Sequence, residues 1–153
     1  MKSISLYLCA ALCTLGLMTS CDHGVISDAI SGTYKGTMDI DFDLPGIDDY
    51  DVEIPYEAVV SKADEAYVNI ALDLNLAKYL SPTMATLVGS SLDFGVVTAR
   101  CLVGPTVRGE TSLTGSATVG DKSVLVYGDF EDGVLDITYV LGVASVEFEG
   151  VRQ

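Results

Sequence analysis

The segment Gly32–Phe42 has the sequence GTYKGTMDIDF, in which apolar and polar residues alternate. The apolar or small parity consists of Tyr34, Gly36, Met38, Ile40 and Phe42. The other parity carries lysine, threonine and aspartate. A period of two is typical of an antiparallel strand that has one face in the core and the other in water. The segment therefore predicts an all-β fold.

The same alternation continues along the rest of the chain, interrupted by turns rich in Gly, Pro and Asp. Gly104-Pro105 is expected to end the fourth strand. Closing eight strands into a barrel removes both sheet edges, so we predict an antiparallel up-and-down barrel, with a two-sheet sandwich as the alternative. After the first strand, we expect strands at about 50–61, 66–76, 92–103, 107–119, 122–130, 134–141 and around 146–148.

Two prolines refine this pattern. Pro55 lies within the second strand, and because proline has no amide hydrogen it predicts a sheet edge or a bulge there. Ser81 and Pro82 have the order of a helix cap and a first helical residue. We therefore predict one short helix between strands three and four, ending near Gly89. The apolar residues at helical spacing are Leu80, Met84, Leu87 and Val88.

The N-terminal residues have the order of a secretion signal. Lys2 is the only charge before Asp22, and the apolar stretch that follows it is shorter than the roughly 20 residues of a membrane span. Small residues precede Cys21, which resembles the lipobox of bacterial lipoproteins, where the cysteine is acylated. We expect a signal peptide over 1–20, the lipidated Cys21 and a polar tether over 21–31, and a barrel domain over 32–153. An ordinary secretory signal is the alternative.

The charge balance is strongly acidic. The 153 residues include 22 Asp and Glu but 8 Lys and Arg, which gives a net charge of −14. This balance argues against a nucleic-acid partner, because nucleic-acid binding needs a basic surface. Beyond Cys21, Cys101 is the remaining cysteine, so we expect no intramolecular disulfide in the mature chain.

Several short motifs carry a family resemblance. GTYKG at 32–36 opens the first strand, and LTG at 113–115, GDF at 128–130 and GVL at 133–135 mark later hairpins. Together they resemble the calycin-like, lipocalin-like β-barrel lipoproteins of Bacteroidetes. The resemblance implies an outer membrane lipoprotein, on the periplasmic face or the cell surface, that is held to the membrane by its lipid anchor.

The same resemblance implies how the barrel closes. Lipocalins carry Gly-x-Trp at the opening position, and a basic residue near the end of the last strand packs across the Trp at the barrel base. Here Tyr34 stands in the place of the Trp, and Arg152 is the matching basic residue. We therefore expect the Arg152 guanidinium to lie over the Tyr34 ring.

Eight carboxylates lie between Lys35 and Lys62 with no basic residue among them. They begin with the spacing of an EF-hand loop, but Leu44 occupies the position of the EF-hand glycine and Tyr50 that of its final glutamate. We interpret the segment as a solvated outer face that keeps the protein soluble. If calcium binds there, the candidate ligands are Asp43, Asp48 and Asp49.

Enzyme chemistry finds little support in the sequence. His23 is the sole histidine and lies beside the expected anchor, so the domain has no histidine to serve as a base. Cys101 has no histidine partner and is expected to be a small apolar filler. We expect neither catalysis nor a cofactor.

Arg100 leaves two interpretations open. It could lie inside a barrel pocket and pair with an anionic ligand, or lie at the surface and pair with an acid. In the first case Tyr56, Phe94 and Tyr139 are the further pocket candidates. Large inward side chains can fill an eight-stranded barrel. This favours a structural or interaction module, which binds an envelope protein, over a barrel that holds a small apolar or anionic ligand.

Overall fold

The computed structural model describes residues 23–44, 46, 50–88 and 92–153, without the side chains of residues 23–25, 87 and 88. These residues form a closed antiparallel barrel, in which the strands pair in chain order and the last strand pairs with the first. The predicted barrel is therefore confirmed. The strands are β1 (Gly32–Phe42), β2 (Tyr50–Lys62), β3 (Tyr67–Asn75), β4 (Asp93–Val107), β5 (Glu110–Val119), β6 (Lys122–Glu131), β7 (Val134–Val140) and β8 (Ala144–Arg152).

Helical segments lie before β1 and between β3 and β4. Helix α1 spans His23–Ile30, and helix α2 spans Pro82–Val88 in the position predicted for it. A 3₁₀ turn, Leu76–Tyr79, precedes α2 and was not expected. The Ser81 hydroxyl accepts the Met84 amide hydrogen at 3.4 Å, as a helix cap does. Within the described part of the chain, no helix is long and apolar enough to cross a bilayer.

Strand β4 is longer than the sequence suggested. The expected break at Gly104-Pro105 is wrong, because the strand continues to Val107 through a shift in register between Val103 and Thr106. A bulge of this kind accommodates a proline without ending the strand. The chain turns instead at Arg108 and Gly109, where both φ angles are positive.

The inward side chains of the strands form one core. Its largest fully buried members include Tyr34, Tyr139 and Phe148. The Tyr139 hydroxyl donates a 2.8 Å hydrogen bond to the Ile70 carbonyl, and burial raises the pKa of this phenol. Cys101 is fully buried among apolar neighbours, as expected of an apolar filler.

The junction of β1 and β8 depends on a glycine. Gly36 lies opposite Gly150 on β8. A Cβ at Gly36 would stand 1.8 Å from the Glu149 carbonyl oxygen, far inside van der Waals contact. The absence of a side chain therefore allows the two strands to approach closely where the barrel closes.

The structure differs from the expected tether. Residues 23–30 form α1, whose Ile30 is fully buried and whose Ile26 packs against the core. These two residues are four apart and so share one helix face, a spacing that the polar composition of the segment obscured. The Lys62 ammonium, 2.9 Å from the Asp28 carboxylate, adds a contact to the barrel. Cys21 lies outside the described residues.

Tyr34 and Arg152 are direct partners in the β1–β8 register, but the contact between them differs from the expected stacking. The Arg152 guanidinium donates to the Ala29 carbonyl at 2.5 Å, and the Tyr34 hydroxyl donates to the Ile30 carbonyl at 2.5 Å. Carbonyls in the last turn of a helix have no partner within the helix. Tyr34 and Arg152 therefore hold the C-terminal end of α1 on the barrel.

We expect Tyr34→Phe and Arg152→Ala each to lower the free energy of unfolding by about 0.5–1.5 kcal/mol, the net contribution of one hydrogen bond. The double variant should lose less than the sum, because the first change already loosens the helix end that the second bond holds. Urea melts give the three values. Lys122→Ala, at the exposed start of β6, is the control and should stay within about 0.5 kcal/mol. Additive losses would contradict a shared role.

Candidate functional site

Strands β2 and β3 pair along only a short part of their length. Their ladder joins Val59–Lys62 to Val68–Ala71, whereas β1 pairs with β2 from Gly32 to Phe42. Along the rest of β2, toward Tyr50, no described residue of β3 is paired with it. We call this opening the seam, and define it as the β2 edge from residue 50 to 58 together with residues 72–75 of β3.

The alternation of hydrogen bonds shows which backbone groups of β2 face the seam. At the two ends of the β1–β8 pair, the Asp43 amide donates to the Val143 carbonyl, and the Gln153 amide donates to the Thr33 carbonyl. In an antiparallel pair every second residue bonds to the same neighbour, so the odd-numbered residues of β1 bond toward β8. Even-numbered residues of β1 therefore bond toward β2, where their partners are also even-numbered. The residues of β2 whose backbone groups point into the seam are Asp51, Glu53, Pro55 and Glu57.

Pro55 therefore lacks the one amide hydrogen that would otherwise point into the seam. The prediction that this proline marks a sheet edge is confirmed, since β2 has no ladder partner there except β1. Its ring removes no hydrogen bond from the β1–β2 ladder. A proline on a free edge also limits unwanted pairing with other strands.

The seam leaves part of the core open. On β1, the inward side chains of Met38, Ile40 and Phe42 are buried. Their neighbours on β2 belong to the same core but remain partly exposed. These partly exposed residues are Tyr50, Val52, Ile54 and Tyr56.

Two tyrosines span the seam. The Asp73 amide donates to the Tyr56 hydroxyl at 2.7 Å, and the Tyr50 hydroxyl donates to the Tyr79 carbonyl at 3.4 Å. If the β2–β3 ladder continued, Asp73 would lie opposite Glu57, so the Tyr56 hydroxyl replaces a missing strand partner. A surface depression of about 310 Å³ adjoins the edge and is lined by Lys35, Gly36, Pro55, Tyr56 and Glu57.

The pocket candidates are not brought together. Tyr56 lies at the seam, where its ring packs edge to face on Phe148 at 6.0 Å. Tyr139 is buried and reaches across the interior to Ile70. Phe94 packs against the core and is partly exposed.

Arg100 lies on the outside of the barrel, so its assignment to an interior pocket is wrong. Its guanidinium pairs with the Asp64 carboxylate and lies 4.5 Å from the centre of the Tyr67 ring. This is the alternative interpretation, a surface arginine paired with an acid. Arg100 is an even number of residues from the buried Leu92 and would share its face in an unbroken strand, but the strand changes phase at Gly95, whose φ is +63°.

The acidic segment faces outward on β1 and β2, as its parity predicts. Of the calcium candidates, Asp43 is exposed beyond the end of β1, and Asp48 and Asp49 lie outside the described residues. Over the ranges that the structure describes, no three His, Cys, Asp or Glu side chains are grouped to hold a metal ion.

Another acidic row becomes visible only through the strand register. Asp129, Asp136 and Glu149 are direct neighbours on β6, β7 and β8. Burial raises the pKa of Asp136, and the nearby charges of Glu147, Asp129 and Glu149 raise it further. Nothing in the local sequence signals this row, because its members come from three separate strands.

We expect Asp136→Asn to stabilise the protein at neutral pH. Folding disfavours the ionised Asp136, because its pKa is higher in the folded chain than in the unfolded one. The cost is therefore complete above the folded-state pKa, shrinks as the pH falls through that pKa, and is gone below about pH 4, the unfolded-state value.

Urea melts at neutral pH should show a gain of about 0.2–1 kcal/mol for Asp136→Asn, as for relief of a like-charge pair across strands. The gain should vanish at about pH 3, below the unfolded-state pKa. Asp121→Asn, in the exposed β5–β6 turn, serves as the control and should change little. A gain of the same size at both pH values would show that charge is not the cause.

The chain matches no protein-family model and no curated protein sequence.

Proposed function

We propose that this protein is a lipid-anchored, non-catalytic cell-envelope protein whose calycin-like barrel serves as an interaction module. The observation that carries the proposal is the seam. There the barrel presents partly exposed apolar side chains and free backbone groups side by side. Such a combination is suited to binding, since apolar contacts supply affinity and polar groups fix orientation.

The membrane anchor is supported by the order of the N-terminal residues. A charged residue, an apolar stretch and small residues precede Cys21, and α1 begins at His23. Because α1 is bonded to Tyr34 and Arg152, little free chain separates Cys21 from the barrel. The motifs at 32–36 and in the later hairpins support placement among outer membrane lipoproteins, on the periplasmic face or the cell surface.

A binding role without catalysis is supported by the state of the one cysteine in the domain. Cys101 is buried, and burial raises the pKa of its thiol to about 11. At neutral pH the thiol is therefore protonated, whereas a cysteine nucleophile must be a thiolate.

We expect Cys21→Ser to abolish incorporation of a labelled fatty acid and to move the protein from the membrane fraction to the soluble fraction. Cys101→Ser is the matched control, since it removes a buried thiol and should keep the label. Gel autoradiography of fractionated cells provides the measurement. Persistent label in the Cys21→Ser variant would overturn the anchor.

A second candidate function is the binding of a small apolar ligand that enters through the seam. The partial exposure of Val52 and Ile54, both inward-facing, favours it. An anionic ligand is less favoured, because Arg100 lies outside the barrel.

A fluorescent fatty acid tests this candidate. If the seam admits it, Ile54→Trp should block saturable binding by filling the opening. Val96→Trp, which enlarges a valine that is 71% exposed on β4, should leave binding unchanged. Equal binding by both variants, or no saturable binding by the unmodified protein, would remove the candidate.

A further inference from the structure

The seam edge of β2 carries backbone groups that have no ladder partner among the described residues. The amide hydrogens of Asp51, Glu53 and Glu57 and the carbonyls of these residues and of Pro55 point away from β1, and no strand of the described chain pairs with them. A row of free backbone groups on a strand is the template for addition of another strand. The edge is therefore competent to take an extended segment.

The side chains of this edge define what such a segment must carry. Outward-facing Asp51 lies opposite Asp41 on β1, and outward-facing Glu53 lies opposite Asp39. Like charges directly across a sheet repel, so β1 offers Asp51 and Glu53 no opposite charge. A strand with basic outward side chains would supply the missing opposite charge.

The inward side of the same edge is apolar. Val52 and Ile54 are partly exposed between the two bridging tyrosines, Tyr50 and Tyr56. Inward side chains of an added strand would contact these groups, since side chains of adjacent strands on one face are neighbours. The partner's residues must therefore alternate between basic and apolar.

We infer that the seam binds an extended peptide segment of alternating basic and apolar residues, which adds to the edge of β2 at residues 51–57. This inference rests on the proposed function, in which the barrel acts by binding at the seam. A second copy of the chain is disfavoured as the occupant, because two β2 edges would bring acids against acids in molecules of net charge −14.

The test uses the full-length protein in detergent and a short, fluorescently labelled peptide in which lysine and valine alternate. Fluorescence anisotropy should show saturable binding, and a peptide with glutamate in place of lysine should not bind. Two N-methylated versions separate strand pairing from charge attraction. Methylation of the alternate amides that face β2 should abolish binding, and methylation of the other set should not.

Charge variants of the protein supply a second comparison. Glu53→Lys should weaken peptide binding by about fivefold or more, as expected when an opposite-charge pair across strands becomes a like-charge pair. Asp129→Lys makes the same charge change on β6 and should have little effect. Amide hydrogen exchange should slow at Glu53 and Glu57 on binding, while Ile54, already bonded to β1, should not change.

The outcomes separate this inference from the proposed function. Equal weakening by Glu53→Lys and Asp129→Lys, or unchanged exchange at Glu53 and Glu57, would overturn strand addition. If the peptide fails to bind while the fatty acid is blocked by Ile54→Trp, the seam is a site for a small apolar ligand, and the peptide inference alone is wrong. If neither probe binds, both the inference and the proposed role of the seam are wrong.

Discussion

The pairing of β1 with β8 is the constraint on which the barrel depends. It joins strands from the two ends of the domain, from Tyr34 with Arg152 to Phe42 with Ala144, without a shift in register. Once these strands are joined, every other strand must complete its ladders within a ring of fixed circumference. Gly36 makes the junction possible, because any side chain there would collide with the backbone of β8.

A closed ring satisfies backbone groups everywhere except where a ladder ends early. In this barrel that place lies between β2 and β3, where Tyr56 supplies a hydroxyl to the Asp73 amide. The Tyr56 side chain reaches across the gap between β2 and β3, and so supplies an acceptor for an amide of β3 that has no strand partner. On the β2 side of the seam, the backbone groups have no ladder partner among the described residues. The two sides of the seam therefore differ, because the Asp73 amide on β3 is bonded to a side chain.

The architecture was predictable because the alternation of side chains records which face of each strand is buried. Predictions failed where the backbone changes phase without a sequence signal. Gly95 turns Arg100 outward, which rules out the interior one of its two interpretations, and the bulge after Val103 carries β4 past Pro105. Pro55 did signal an edge, but the length of the opening depends on where β3 diverges, which no local pattern encodes.

The N-terminal helix illustrates a different limit. Tyr34 and Arg152 were expected to meet because first and last strands pair, and the register brings them together. Their role as hydrogen-bond donors to α1 is not predictable from the sequence, because the polar composition of residues 21–31 predicts a tether and not a helix. The polar composition of the segment predicts exposure to solvent. The apolar face that Ile26 and Ile30 share is recognised only because both residues pack against the barrel core.

The direction of β2 sets the distance between α1 and the Tyr50 end of the seam. The last residues of β2 lie beside α1, where Lys62 contacts Asp28, and Tyr50 lies at the far end of the strand. A strand rises about 3.3 Å per residue and tilts by about 40° in a small barrel, so the 11 residues of β1 span roughly 25–30 Å along the axis. If Cys21 carries the lipid, the Tyr50 end of the seam lies roughly 25–30 Å from the bilayer surface. A partner anchored in the same leaflet would then need a stalk of comparable height, whereas a segment descending from the opposite side would meet the opening directly.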